Sequence, residues 1–372
     1  MAIPLILAVF TAPIIAMAAN YTSLVTFIFG DSLTEVGNNN YLRYSLARSD
    51  FPFYGIDYPN RIPTGRFSNG RTIADIISEK LGIPSPPPYL SLNRQDDALL
   101  KGVNYASGGA GILNDTGIYF IERISFDDQI GCFENTTRVI KKRLGEESAV
   151  SLLHEAIYFI AMGKSLLRSP LYVFGLSIGS NDYINNFLQP FLPYSRRYTH
   201  DEFLGILELK LAEQLTRLYL LGARKVIFLG LGPLGCIPSQ RAKSTTNQCL
   251  QQVNEWVVQF NSKVQKLINV LNVKLKKAQL TFADTYQDGM DLVENPGKYG
   301  FKVSNTSCCK VETAVGGLCL SYAHVCDNRS EYVFWDAFHP SDAANVVLAD
   351  RFFTKLFATS NSSSNSSSSH EG

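Results

Sequence analysis

The chain has 372 residues, 45% of them hydrophobic, with 34 basic against 33 acidic side chains and a formal charge of +1. That apolar content is ample for a globular core, and the balanced charge, with no sustained basic run, excludes the electrostatic footprint of a nucleic-acid binder. The length fits one α/β domain with long loops.

Residues 2–19 are apolar throughout and end in Ala16-Met17-Ala18, the small-x-small pattern of a signal-peptidase site. Residues 1–19 therefore read as a signal peptide, residues 20–359 as a single domain, and the Ser/Asn-rich residues 360–372 as a disordered tail. No Lys or Arg precedes the apolar stretch, which keeps an uncleaved anchor or a misassigned start as alternatives. No later stretch is long and apolar enough to span a bilayer. Asn-x-Ser/Thr sequons begin at Asn20, Asn114, Asn135, Asn305, Asn328, Asn361 and Asn365, as expected of a secreted, extracellular glycoprotein; Asn114, Asn135, Asn305 and Asn328 are the candidate glycan acceptors. The cysteines are Cys132, Cys236, Cys249, Cys308, Cys309, Cys319 and Cys326. Four crowd one loop-like segment, which in an oxidising compartment points to local disulfides, and their spacing fits no usual zinc site. An odd number leaves at least one thiol free or paired between chains, with connectivity open.

Residues 24–30 form an almost continuous apolar run, the signature of a strand buried on both faces of a parallel sheet. The run stops at Gly30-Asp31-Ser32-Leu33. A small residue followed by Asp and Ser at a strand's carboxyl end sets a hydroxyl at the sheet's rim, where open α/β folds place ligand crevices, so Ser32 is the candidate nucleophile. Residues 41–70 read as a long Pro/Gly/aromatic loop. Residues 71–81 carry apolar side chains at helical spacing and end at Gly82, and Pro84, Pro86, Pro87 and Pro88 then impose an extended connector.

A second strand, 103–106, runs into Ser107-Gly108-Gly109-Ala110-Gly111. Such a glycine-rich turn lets backbone N–H groups point into a cleft, and it lacks the G-x-G-x-x-G spacing of a dinucleotide site. Residues 117–163 are mostly helical in period. A third strand, 171–176, ends in Ser177-Ile178-Gly179-Ser180-Asn181-Asp182, which puts the Asn181 amide at the sheet edge as a candidate oxyanion donor. Thr199 and Glu202 form a capping box for a helix ending near Gly222. Strands at 225–230 and 279–283 flank a long amphipathic helix at 253–277. Five strands alternating with helices indicate a parallel sheet with helices on both faces.

Past the cysteine cluster comes Asp336-Ala337-Phe338-His339-Pro340. Asp336 and His339, three apart, share a face on a helical turn, and a carboxylate beside an imidazole is what a serine's general base requires. The other histidines, His154, His200, His324 and His370, sit in a charged helix, at a helix start, among cysteines and in the tail. A helix over 341–358 closes the domain.

Gly30-Asp31-Ser32-Leu33, the segment from Asn104 through Ser107-Gly108-Gly109 to Gly111, Gly179-Ser180-Asn181-Asp182 and Asp336-Ala337-Phe338-His339-Pro340 together resemble, in order, the four blocks of the GDSL esterase/lipase family of SGNH hydrolases. Phe67-Ser68-Asn69-Gly70-Arg71 and the cysteine cluster resemble its plant branch. The resemblance implies a flavodoxin-like, three-layer α/β/α sandwich with a five-stranded parallel sheet. It implies Ser32 as nucleophile, Asp336 and His339 as its relay, and the Ser32 and Gly108 N–H groups with Asn181 as the oxyanion hole, with the alignment between Gly108 and Gly109 free to slip by one. It also implies no cofactor and no metal, and a cell-wall location in a plant.

A rival nucleophile is Ser177, because Gly175-Leu176-Ser177-Ile178-Gly179 spells the elbow of α/β-hydrolases. Against it, an elbow leads into a helix, whereas Ser180-Asn181-Asp182 has turn chemistry, and an elbow leaves Gly30-Asp31-Ser32 unexplained. The expected function is a secreted serine hydrolase of carboxylic esters. The alternatives are an acyltransferase using the same site and a non-catalytic glycan- or lipid-binding glycoprotein. The family's esters range from acylglycerols and cutin-like lipids to acylated sugars, with specificity expected in loops such as 41–70.

Overall fold

The computed structural model describes residues 25–158, 176–311 and 317–358. The expected signal peptide and tail, His370, most of the 171–176 strand and the sequons at Asn20, Asn361 and Asn365 lie outside the described residues.

Strand β1 (Thr26–Gly30) is buried along its whole length, as a strand covered on both faces must be. Phe27 and Phe29 project against Tyr105, Phe126 and Phe133, and strand alternation turns Ile28 to the opposite face. On one side β1 pairs in parallel with β2 (Gly102–Asn104). On its other side lie two short segments, β3 (Ile157–Tyr158) and β4 (Leu176–Ser177), then β5 (Lys225–Leu229) and β6 (Gln279–Ala283), all parallel.

The expectation of five strands is corrected to a sheet of six segments. β3 and β4 share one position: β3 lies beside Thr26 and Phe27, β4 beside Phe29 and Gly30, and only the rung at Ile28 separates them. Ile157 and Tyr158 fall in a stretch whose period reads as helix. The helix stops before them, and β-branched and aromatic residues are enriched in strands.

The helices near the sheet are bounded largely as their patterns indicate. α1 (Ile73–Lys80) starts on a capping box in which Thr72 and Asp75 bond each other's backbone. The long helical stretch divides at Gly145, whose φ is +81°, into α2 (Phe126–Leu144) and α3 (Glu146–Glu155). α4 (His200–Leu220) carries the Thr199/Glu202 capping box, and α5 (Gln251–Lys274), α6 (Tyr286–Glu294) and α7 (Asp342–Ala358) follow. α2 packs on α3 and α4, and α4 on α5; α1 and α6 both pack on α7.

Six cysteines pair locally, Cys236 with Cys249, Cys308 with Cys326 and Cys309 with Cys319, and Cys132 is the free thiol among the described residues. The four clustered cysteines pack with Tyr54, Phe67 and Trp335 into a second, smaller core. Cross-links closing short loops stabilise chiefly by restricting the unfolded chain, typically by about 2–4 kcal/mol each. This small core lies directly behind the loop that carries His339.

Candidate active site

Three turns converge at the carboxyl ends of β1, β2 and β4. The chain leaves β1 for β2 on one side and later returns to β1's other side, and connections that diverge in this way open the crevice where α/β sheets bind ligands. The end of β1 is pinned by Gln129 of α2, whose side chain accepts from the Gly30 N–H at 2.9 Å and donates to the Gly30 carbonyl at 2.8 Å. Beyond it the chain turns tightly, with the Thr34 and Glu35 N–H groups donating to the Asp31 carbonyl and the Leu33 N–H to Asp31 Oδ1. Ser32 is left half-exposed at the rim.

The Ser32 hydroxyl lies 2.8 Å from His339 Nε2, and His339 Nδ1 lies 2.8 Å from both oxygens of Asp336. Asp336 is fully buried. Its Oδ1 also accepts from the Phe338 and His339 N–H groups at 2.8 Å each, and its Oδ2 accepts the Tyr54 hydroxyl at 2.6 Å. The expected helical turn over 336–339 is instead a loop closed by the aspartate's own side chain, an arrangement short polar residues favour. Tyr54 in turn accepts the N–H of Cys319 at 3.0 Å, which ties the disulfide core to the carboxylate. The Phe67 ring packs over the imidazole with centroids 5.0 Å apart.

The glycine-rich turn differs from its expected use. The Gly108 N–H donates to the buried Glu35 carboxyl, so it is already engaged. The Gly109 N–H has no partner among the described residues, and Gly109 lines the cleft. Its φ is +82°, and a Cβ there would stand 2.6 Å from the Phe120 ring, so this position tolerates only glycine. Asn39 holds the turn from behind. Its backbone N–H donates to Glu35 at 2.6 Å, and its side-chain amide donates to the carbonyls of Ala47 and Gly108.

Asn181 follows β4 in a short helical turn, Ser180–Asp182, that runs on into Tyr183–Phe187. The plain turn expected there is therefore helical, and one argument against the Ser177 elbow lapses. The Ser177 side chain lies outside the described residues, and His339 Nε2 faces Ser32. One hydrogen of the Asn181 amide goes to the Ala110 carbonyl at 2.9 Å, which leaves the other without a partner among the described residues. Asp182 accepts from the Ile112 and Leu113 N–H groups and the Thr116 hydroxyl, joining this turn to the one after β2. Ser32, Asn181, Gly109 and His339 thus border one cleft of about 70 Å³, walled by Phe67 and Phe120.

Burial pushes three carboxyls around this cleft upward: Asp31 to about 7, Glu35 to about 8 and Asp182 to about 6. Backbone N–H donors oppose the rise at each without cancelling it. A carboxyl whose folded value is raised binds its proton more tightly in the native state. Its contribution to stability is therefore full below about pH 4 and is lost as pH rises toward about 8. The melting temperature is expected to fall by several degrees between pH 5 and pH 8, and Glu35→Gln, which has no charge to form, is expected to fall less. Parallel melting curves check this; equal slopes in both proteins would remove Glu35 from the account.

Sequence reasoning missed Tyr54, Glu35 and Gln129. Glu35 had a signal, since it stands three residues past Ser32. Tyr54 had none, because nothing in the chain links it to a residue 282 positions away. The sequon residues Asn114, Asn135, Asn305 and Asn328 are all exposed.

A family model described as GDSL-like Lipase/Acylhydrolase matches residues 26–352. GDSL esterase/lipase At5g37690 of Arabidopsis thaliana is 59% identical over 348 residues, 94% of this chain and 93% of that protein. GDSL esterase/lipase At1g74460 of the same plant is 42% identical over 329 residues, 88% and 86% of the two chains. GDSL esterase/lipase 7, also from Arabidopsis thaliana, is 42% identical over 334 residues, 88% and 87%.

Proposed function

The chain belongs to the GDSL-like lipase/acylhydrolase family, and from that premise we propose that it is a secreted serine hydrolase that cleaves carboxylic esters through an acyl-enzyme on Ser32. The observation that carries this reading is the unbroken relay from Ser32 through His339 to a buried, fully hydrogen-bonded Asp336. His339 Nε2 takes the hydroxyl proton as Ser32 attacks the acyl carbon, and Asp336 holds the imidazole's tautomer and offsets the charge it gains. The oxygen that turns negative is received by the Ser32 N–H, the Gly109 N–H and the remaining Asn181 hydrogen. Gly109 replaces Gly108 in this role because Glu35 already occupies the latter. His339 then protonates the departing alcohol, and water, activated by the same imidazole, releases the acid. No step draws on a cofactor.

Several finer points belong to the same reading. The fold is a flavodoxin-like three-layer sandwich, residues 20–359 act as one domain after removal of a signal peptide, and glycans occupy Asn114, Asn135, Asn305 and Asn328. The exposure of all four side chains supports the last point. The test is to treat the purified glycoprotein with a fluorophosphonate probe and map the modified peptide by mass spectrometry. Label on Ser32 that vanishes on heat denaturation is expected. Label on Ser177, or none on folded protein, overturns the reading.

A further inference from the structure

The side chain of Asn181 ends in two groups of the same size and opposite character: its nitrogen donates hydrogen bonds and its oxygen accepts them. Only one way round serves an oxyanion, because the reversed amide would aim a partial negative charge at an oxygen that is itself turning negative. One anchor for the useful orientation is the Ala110 carbonyl, 2.9 Å from the amide nitrogen. A second comes from behind. Asn185, four residues on, donates from its side-chain nitrogen to Asn181 Oδ1, and its own oxygen accepts the Tyr119 hydroxyl at 2.6 Å. Asn181 and Asn185 are both buried, where a polar atom left unmatched is costly. The segment Tyr183–Phe187 is wound more loosely than an α-helix, with the Leu188 N–H donating back to the Tyr183 carbonyl at 2.8 Å, a departure that recurs at functional sites.

We infer that Asn185 and Tyr119 are positioning residues that fix the polarity of the Asn181 amide toward the oxyanion; the inference rests on the serine-hydrolase reading above. The order of donors along the chain sets the direction. Burial pushes the Tyr119 phenol above its usual range, so it keeps its proton, and Asn185 Oδ1 is the acceptor of that proton among the described residues. Turning Asn185 round would strand the phenol hydrogen and set oxygen against nitrogen's place at Asn181. With Asn185 held, Asn181 keeps its oxygen toward Asn185 and its nitrogen toward Ala110 and the cleft. Tyr119 does not border that cleft, whereas its neighbour Phe120 does. It acts at two removes from the reacting atoms, through Asn185 and then Asn181.

The experiment is a double-mutant cycle on the purified glycoprotein, read as kcat and KM on p-nitrophenyl butyrate from pH 5 to pH 8. Asn181→Ala is expected to lower kcat by about a hundredfold to a thousandfold. Asn185→Asp sets an oxygen of the same size against Asn181 Oδ1, so at pH 8 it is expected to lower kcat by about a hundredfold with KM nearly unchanged. Added to Asn181→Ala, it is expected to cost no more than about threefold further, because its effect passes through the side chain already removed. Toward pH 5 the new carboxyl, whose burial raises its affinity for a proton, regains a hydrogen to donate, and kcat relative to the wild type is expected to recover about tenfold. His339, Asp31 and Asp182 are present in both proteins, so the ratio isolates residue 185. Tyr119→Phe keeps the ring and removes the hydroxyl, and is expected to lower kcat about fivefold when Asn181 is present and not when it is absent. Melting curves verify folding, and if Asn185→Asp does not fold, the Tyr119→Phe cycle decides alone. If Ser32 takes the fluorophosphonate label but the losses at positions 119 and 185 add in full to that of Asn181→Ala, or show no dependence on pH at position 185, the inference falls and the hydrolase reading stands. The same holds if Asn181→Ala turns over like the wild type. If the ester is not hydrolysed and Ser32 is not labelled, both fall together.

Discussion

Alanine at Ser32, alanine at His339 and the double variant are all expected to cost about the same, roughly ten-thousand- to million-fold in kcat, because the two groups act as one unit and removing either leaves nothing for the other to assist. The geometry makes this a strong expectation. The imidazole is committed at both nitrogens, to Ser32 at 2.8 Å and to Asp336 at 2.8 Å, and Phe67 packs against its face. Asp336→Asn is expected to do more harm than a change of tautomer. The carboxylate accepts from His339 Nδ1, two backbone N–H groups and the Tyr54 hydroxyl. An amide offers one accepting oxygen and turns two hydrogens toward donors. That variant should lose roughly ten-thousand-fold in kcat and also melt lower, whereas Ser32→Ala should melt near the wild type. Saturating turnover of a p-nitrophenyl ester, with melting curves in parallel, separates these outcomes. A His339→Ala protein within tenfold of the wild type would remove His339 as the base.

The parts of the site that could be read in the sequence are those whose chemistry is local. Gly30-Asp31-Ser32 announces itself because a buried apolar strand is cut off by a small residue and a hydroxyl. Asp336 and His339 stand close enough in sequence to be paired before their geometry is known, although the loop that joins them is shaped by the aspartate's own side chain rather than by a helix. Capping boxes at Thr72 and Thr199 are local too, and the Thr199 box fixes the start of α4 as its pattern indicates. What could not be read depends on distant parts of the chain. Glu35 takes the Gly108 N–H only because the turns after β1 and β2 are brought side by side, and that contact shifts the available donor by one residue. Tyr54 reaches Asp336 from a loop that shows no regular period. The pairing of the clustered cysteines required the register of β7 (Cys309–Lys310) against β8 (His324–Val325), which places Cys309 opposite Val325 and next to the Cys308–Cys326 bridge.

The second large effect is expected at the middle of the sheet. Residues 159–175 separate β3 from β4 in sequence, yet the two segments are held one rung apart, on either side of Ile28. One residue is enough to fill that rung. Deleting residues 160–175 keeps Phe159 to fill it, and joins Ile157, Tyr158, Phe159, Leu176 and Ser177 into one strand between β1 and β5. Aromatic residues are enriched in strands, so Phe159 suits that pleated position. Holding the ends of a long segment so close restricts the chain at a cost of roughly 2–3 kcal/mol on the logarithmic loop-closure scale. The deletion removes that cost, so the shortened protein is expected to melt a few degrees higher. Its Ser32 should still take a fluorophosphonate label, because Asn181 and Asp182 follow β4 directly and keep their place at the rim. Loss of folding or of labelling would mean that residues 160–175 supply something the sheet requires. A stable, labelled product would mean that the central strand is complete with a single residue at that rung, and that the site depends on the register of β4 against β1 rather than on the residues that lead into it.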